Sequence, residues 1–218
     1  MKKVVICEDH QLVREGLKKL ITSFGGYDVI KALNNGESLI SYILKNKPDL
    51  IILDVSLPGR SGLETLKNII SFYPDMNVLA LSMYAEKHYA LRMLKSGAKG
   101  YLNKDCSPEV LEHAINLVSK GTEYLSPSLT KILFSNMNKK SQDLPHHNLS
   151  DREYEVFLAL GDGVSLSELG NKLNLSVKTI STYKSRVFEK MNVSNNSDLV
   201  KYIISHELDS TKNTLTNL

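Results

Sequence analysis

Four short stretches place acidic, hydroxyl and cationic side chains at the ends of apolar runs. They are Ile6-Cys7-Glu8-Asp9, Ile52-Leu53-Asp54, Ala80-Leu81-Ser82 and Tyr101-Leu102-Asn103-Lys104. Three carboxylates converging on one point repel each other unless a hard divalent cation lies among them. A hydroxyl and an ammonium beside them suit an arriving dianionic group. The combination describes a Mg²⁺-dependent acceptor of a phosphoryl group. Asp54 is the candidate nucleophile, because it ends the most apolar run and precedes Val55-Ser56-Leu57-Pro58-Gly59, a loop able to curl over a metal. Glu8 and Asp9 would anchor the cation. Lys104 would neutralise one phosphoryl oxygen as a point charge, and Ser82 would donate a hydrogen bond to another. Phosphoryl transfer needs chiefly positioning and charge stabilisation of this kind. Taken singly, each residue also fits a loop start, a helix cap, a turn or a surface charge. Their joint position at strand ends is what argues against those readings.

The elements that must position these groups follow from periodicity. Val4 to Cys7, Tyr27 to Ala32, Leu50 to Leu53, Val78 to Leu81 and Lys99 to Leu102 read as strands. The third is apolar without alternation, as in a strand covered on both faces. The second is more polar and belongs nearer an edge. Helical spacing intervenes in Leu12, Leu17, Leu20 and Ile21; in Leu39, Ile43 and Leu44; in Leu63, Leu66, Ile69 and Ile70; in Tyr89, Leu91 and Leu94; and in Val110, Leu111, Ala114, Ile115 and Val118. Five βα units in series predict a doubly wound, flavodoxin-like parallel sheet of order 2-1-3-4-5. Its crevice lies beyond the carboxyl ends of strands 1 and 3, where the acidic residues fall.

The chain has 218 residues, enough for two compact domains, with 42% hydrophobic and 23% charged residues. Its two cysteines, Cys7 and Cys106, form no CxxC pair, which argues against structural zinc and for a reduced cytoplasm. The apolar run near the amino end stops at Glu8, so no signal peptide is read there, and no stretch reaches the roughly 20 apolar residues of a membrane span. The expected organisation is an α/β domain over 1–122, a linker with a short helix over 123–148, an all-α domain over 149–208 and a frayed tail over 209–218. His146 and His147 lie in that linker and read as solvated.

From Leu149 onward the pattern is purely helical. Ser150 and Glu153 form a capping box. Leu166, Leu169 and Leu173 mark a second helix, and Asn174-Leu175-Ser176 turns the chain into a third, Val177 to Met191. Leu199, Val200, Ile203 and Ile204 mark a fourth. Two helices joined by a tight turn predict a helix-turn-helix DNA reader. The segment from 149 to 218 carries eight Lys or Arg against nine Asp or Glu, yet residues 172–190 hold five basic groups and only Glu189 as acid. One such module should bind weakly and lose affinity with salt. A small helical protein-binding module is the alternative.

The phosphoryl-acceptor motifs resemble the receiver domains of bacterial two-component response regulators, over roughly residues 1–122. The resemblance implies that Asp54 accepts phosphate from a sensor histidine kinase or phosphotransfer protein. It implies that Glu8, Asp9, Asp54 and the Ser56 backbone carbonyl hold Mg²⁺, and that Ser82 and Tyr101 form a switch pair beside Lys104. The acidic pair is Glu-Asp where Asp-Asp is common, and Asp105 follows Lys104 where many receivers have proline. The run Leu149-Ser150-Asp151-Arg152-Glu153, with Ser176-Val177-Lys178-Thr179-Ile180-Ser181-Thr182-Tyr183-Lys184, looks like the LuxR-type DNA-binding domain. Joined to a receiver it implies the NarL/FixJ class, and Lys-Thr-Ile-Ser-Thr-Tyr-Lys is similar to its BvgA/EvgA branch. By that resemblance Ser181, Thr182 and Ser185 face bases, while Lys178, Thr179, Tyr183, Lys184 and Arg186 hold phosphates.

The expected protein is therefore a cytoplasmic bacterial transcription regulator rather than an enzyme with turnover, its receiver assisting only its own phosphorylation and dephosphorylation. Phosphorylation of Asp54 draws Ser82 toward the phosphate and lets Tyr101 swing inward. The receiver then dimerises, and paired recognition helices bind promoter DNA, with RNA polymerase a possible further partner. Tyr84, two residues after Ser82, is expected to shield the acyl phosphate from water. Two rivals are an α/β phosphatase or nucleotide-binding enzyme, for which no P-loop or GxGxxG is present, and a phosphorylated adaptor acting by protein contact.

Overall fold

A computed structural model describes residues 1–138, 144–206 and 208. The expected tail, 209–218, and the middle of the expected linker lie outside the described residues. The chain divides into two compact units, Met1–Met137 and Asn138–Leu218.

In the first unit, β1 (Lys2–Cys7), β2 (Tyr27–Leu33), β3 (Leu50–Asp54), β4 (Val78–Ser82) and β5 (Gly100–Asn103) alternate with α1 (Gln11–Ser23), α2 (Gly36–Ile43), α3 (Gly62–Phe72), α4 (Glu86–Lys95) and α5 (Pro108–Val118). The strands are parallel in the order β2-β1-β3-β4-β5, as the periodicity predicts, with the half-exposed β2 at an edge. Side chains alternate between the two faces of a strand. Val4, Ile6, Leu50, Ile52, Leu79 and Leu81 meet Ile21 of α1 and Leu111, Ala114, Ile115 and Val118 of α5 on one face. Helices α2 to α4 serve the other, and β3 and β4 are buried along their whole length. Leu12, expected on the buried face of α1, is 87% exposed. It sits in the first turn of Gln11–Ser23, whose one buried residue, Ile21, lies near the other end.

Parallel pairing brings all carboxyl ends to one edge. Cys7 lies opposite Leu53, Asp54 opposite Leu81, and Ser82 opposite Asn103. The ladder continues past the strands, with Val55 N donating to Leu81 O at 3.0 Å and Lys104 N to Ser82 O at 2.9 Å. Beyond Asp54 the loop turns back and Gly62 N donates to Val55 O at 2.9 Å. A Cβ on Gly62 would lie 2.2 Å from Asp54 O and 2.6 Å from Val55 Cα, so only glycine lets α3 start there. Ser61 and Glu64 close that start with a capping box.

After α5, Tyr124 N donates to Lys99 O at 2.7 Å and Tyr124 bridges Gly100 in parallel. Helix α6 (Pro127–Asn138) follows, longer than the short pattern ending at Phe134.

In the second unit, a 3₁₀ turn (Pro145–Asn148) leads into α7 (Asp151–Gly161), α8 (Leu166–Leu173), α9 (Val177–Met191) and α10 (Asn196–Ser205). The turn corrects the solvated-linker reading. His146 is buried, its Nδ1 2.8 Å from the Tyr202 hydroxyl and its ring stacked 6.4 Å from Phe157. A half-polar ring can close an aromatic cluster once its nitrogen finds a partner. His147 beside it is exposed, as expected. Of the residues that mark α10, Leu199 and Ile203 are buried, whereas Ile204 is 53% exposed.

Capping boxes open α7 (Ser150, Glu153) and α8 (Ser165, Glu168). Asn174 (φ 53°) and Asn192 (φ 52°) take the left-handed conformation at the ends of α8 and α9, a role asparagine fills more easily than bulkier residues. Gly170 lets the turn close: Leu175 N donates to Gly170 O at 2.8 Å, and a Cβ on Gly170 would stand 2.8 Å from Leu175 O.

Candidate functional site

At the carboxyl edge of the sheet, Glu8, Asp54 and Ser82 are buried and Asp9 partly so. Glu8, Asp9, His10 and Asp54 each offer a ligand atom within 4.8 Å of the others. Lys104 Nζ stands 2.6 Å from Glu8 Oε2 and 2.9 Å from Asp54 Oδ2. The edge thus gathers the acidic trio and the lysine into one pocket. Ser56 N donates to Asp54 Oδ1 at 3.1 Å, which turns the other carboxylate oxygen toward Lys104.

One ammonium against three carboxylates leaves the pocket negative. Burial pushes the Asp54 carboxyl from 3.8 up to about 6. Lys104 opposes that rise, and Glu8 adds to it. Burial works against the Lys104 charge, but Asp54 and Glu8 outweigh it and hold its pKa above the ordinary lysine range. Burial, then Asp54 and Glu8, push the Cys7 thiol up, so it serves as a small apolar side chain. Glu8 Oε2, Asp9 Oδ1 and Asp54 Oδ2 are buried and accept no well-directed hydrogen bond; their close neighbours are the cationic or polar nitrogens of Lys104 and His10. Anionic oxygens short of donors fit a hard divalent cation.

Two residues absent from the predicted set also touch the acidic pair. His10 Nδ1 lies 2.8 Å from Asp9 Oδ1 and 3.1 Å from Glu8 Oε1. Arg14 donates from one terminal nitrogen to Glu8 O at 2.7 Å and Asp9 O at 3.1 Å, holding the backbone of the β1–α1 loop. His10 follows the acidic pair directly and was visible as a neighbour. Arg14 needed the geometry of the first turn of α1.

Ser82 Oγ accepts from Tyr84 N at 3.1 Å, and the Tyr101 hydroxyl donates to Tyr84 O at 2.8 Å. Tyr101 is fully buried, and burial raises its hydroxyl pKa far above the ordinary tyrosine value. The inward position expected to follow phosphorylation is the position it takes here. The Tyr84 ring lies against Tyr89, centroids 4.9 Å apart.

In the second unit, α9 buries Ile180, Val187 and Met191 and exposes Lys178, Ser181, Thr182, Ser185 and Arg186. Thr179, Tyr183 and Lys184 are partly exposed, Lys184 with its ammonium 5.1 Å from the Phe188 ring centre. Ser176, Lys178, Thr179, Thr182, Tyr183 and Arg186 line a shallow depression of about 350 Å³. Ser176 Oγ caps the helix by accepting from Thr179 N at 3.1 Å. Thr182 and Ser185 donate to Lys178 O and Ser181 O, so their hydroxyl oxygens face outward as acceptors. At the far end, Lys190 Nζ lies 2.6 Å from Glu153 Oε2 and ties α9 to the capping box of α7.

Comparison with known families agrees with both units. Residues 4–116 match the response regulator receiver domain, and residues 147–203 match the bacterial regulatory proteins of the luxR family. Response regulator GacA of Pseudomonas protegens is 32% identical over 206 residues, covering 94% of this chain and 97% of its own length. Oxygen regulatory protein NreC of Staphylococcus carnosus is 32% identical over 213 residues, covering 94% and 98%. Among solved structures, RcsB from Salmonella enterica serovar Typhimurium, bound to promoter rprA with the phosphomimetic BeF₃⁻, is 26% identical with a TM-score of 0.63, covering 94% of this chain and 100% of that one. The chain belongs to the two-component response regulators of the NarL/FixJ class, which regulate transcription through a receiver joined to a LuxR-type DNA-binding domain. No helix among the described residues is long and apolar enough to cross a membrane.

Proposed function

We propose that Asp54 is the phospho-acceptor, serving a sensor histidine kinase or phosphotransfer protein. The observation that carries this reading is the buried Asp54 carboxylate held in one pocket with Glu8, Asp9 and Lys104. An Asp54 oxygen attacks the phosphorus, the bond to the donor atom breaks, and the donor leaves with the electron pair and takes up a proton. Lys104 binds one phosphoryl oxygen and the Ser82 hydroxyl donates to another. Glu8, Asp9, Asp54 and the Ser56 carbonyl would hold Mg²⁺, which when bound offsets the carboxylate charge against the incoming dianion. Tyr84 shields the acyl phosphate from water. Tyr101 inward, bonded to Tyr84 O, is the packing that the phosphorylated site favours.

Residues 1–122 would then act as the receiver, 123–148 as the connection and 149–208 as the reader. In the reader, Ser181, Thr182 and Ser185 face base edges and Lys178, Thr179, Tyr183, Lys184 and Arg186 hold backbone phosphates, supported by the exposure of this helix face and by the DNA-bound RcsB relative. Short hydroxyls discriminate modestly, so DNA shape contributes. Two weak readers brought together in a homodimer gain affinity through effective concentration. The protein works in the bacterial cytoplasm. Incubation with acetyl phosphate and Mg²⁺, read by intact mass and by retention on genomic fragments, tests the reading. Modification and increased retention that both vanish in Asp54→Asn support it. Modification that survives Asp54→Asn sinks it, and modification without any DNA retention favours the adaptor.

A further inference from the structure

We propose that Glu86 is a positioning residue that latches the connecting helix α6 to the switch segment, so that the Asp54 site sets how firmly α6 is docked. The inference rests on the phosphorylation of Asp54 proposed above and extends it beyond the receiver's own pocket.

The Glu86 carboxylate, in the first turn of α4, accepts from Ser126 Oγ at 2.6 Å through Oε1 and from the Ser128 hydroxyl through Oε2. These partners lie 40 and 42 positions away along the chain, so the contact is tertiary. Ser126 also starts α6: its Oγ accepts from Leu129 N at 3.0 Å, and its carbonyl accepts from Thr130 N at 2.9 Å. One carboxylate therefore grips the residue that caps α6 and its neighbour in the first turn. A negative charge there also favours the exposed amides of a helix start.

Both arms of the latch hang from β5. Tyr84 O, two residues before Glu86, accepts from the Tyr101 hydroxyl, and Tyr84 N donates to the buried Ser82 Oγ. Tyr124, two residues before Ser126, is bonded to Lys99 O and bridged to Gly100, next to Tyr101. Any shift of Ser82 or Tyr101 moves Tyr84 relative to β5 and carries Glu86 with it. The Ser126 arm stays fixed to the strand. The inward Tyr101 is thus the arrangement in which the two arms meet. A site that favours inward Tyr101 favours a docked α6, and outward Tyr101 loosens it.

Backbone amide exchange of the full chain at Leu129 and Thr130, with and without beryllofluoride and Mg²⁺, reads the latch, while the fluorine NMR signal of bound beryllofluoride reports separately on the Asp54 site. The wild type should exchange about tenfold more slowly at these amides when the probe is bound, in keeping with hydrogen bonds to a charged group. Glu86→Ala and Ser128→Ala should each abolish the slowing while the fluorine signal persists, and Glu86→Gln should restore part of it. Slowing that survives in Glu86→Ala overturns the proposal, as does a wild type that binds the probe without slowing. If no fluorine signal appears, the Asp54 reading has failed. The latch is then judged in the free protein, where Glu86→Ala must speed exchange at Leu129 and an unchanged rate refutes it.

Discussion

Lys104 Nζ sits 2.9 Å from Asp54 Oδ2, and its side chain is only 10% exposed. It is the cation that the buried carboxylates of Glu8 and Asp54 share. Removing one partner of a buried ion pair leaves uncompensated charge and costs about 3–5 kcal/mol. Lys104→Met should therefore lower the stability of the first unit by several kcal/mol in chelator, measured by calorimetry of the full chain. Added Mg²⁺ should recover more stability in the variant than in the wild type. Equal stability of the two proteins in chelator would show that the ammonium is not what holds the carboxylates together.

The raised Asp54 pKa has a defined consequence for stability against pH. The folded value is about 6 and the ordinary one 3.8. The folded state therefore holds the proton more tightly than the unfolded chain. That contribution is complete below about pH 3.8 and is lost as pH rises through 6. In chelator, Asp54→Asn should be the more stable protein at pH 8, by about 2–3 kcal/mol at most, with a flatter profile between pH 4 and 7. Denaturant midpoints across that range test it, and a wild-type slope retained in the variant would count against Asp54 as its source.

Gly62 leaves no room for a side chain. Its added Cβ would meet backbone at Asp54 and Val55, which cannot swing aside. Gly62→Ala should cost about 1–3 kcal/mol, as overpacking usually does. The larger effect should fall on chemistry, because displacing Asp54 spoils alignment with the phosphoryl donor. Acetyl-phosphate labelling should slow by on the order of a hundredfold, the usual penalty for an ångström of misplacement. Labelling at the wild-type rate would show that the loop relaxes without moving Asp54.

The two roles proposed for the face of α9 are distinguishable by salt. Arg186→Ala should weaken binding to all DNA sequences alike and reduce the slope of log affinity against log salt by about 1. Ser181→Ala should leave that slope unchanged and alter the preference among sequences. Fluorescence anisotropy on a captured fragment and a scrambled duplex, at several salt concentrations, reads both. A sequence-dependent loss in Arg186→Ala would move that residue from backbone to base contact.

The sheet order and the acidic pocket were legible because both follow from local pattern. Five apolar runs carry the strands, and parallel pairing forces Glu8, Asp9, Asp54 and Lys104 to one edge. The capping box Ser150 with Glu153, and the α9 limits at Val177 and Met191, were equally local. Helical spacing did not foresee the exposure of Leu12 because it marks a face without saying whether anything packs on it, and for the same reason it left Ile204 undecided. His146 read as solvated because polar neighbours hide a partner, Tyr202, that lies 56 positions away. The inward Tyr101 and the pairing of Glu86 with Ser126 depend on tertiary geometry that no spacing encodes.

Asn174 and Asn192 bracket α9 with a left-handed residue just before its cap and another just after its last turn. A rod of 15 residues, about 22 Å long, is thereby bounded at both ends by a backbone conformation that does not continue a right-handed helix. A rod with such stops has a set length to present to DNA. On the reading proposed above, pairing of two chains sets how many of these rods meet one promoter, with no remodelling of the rod itself.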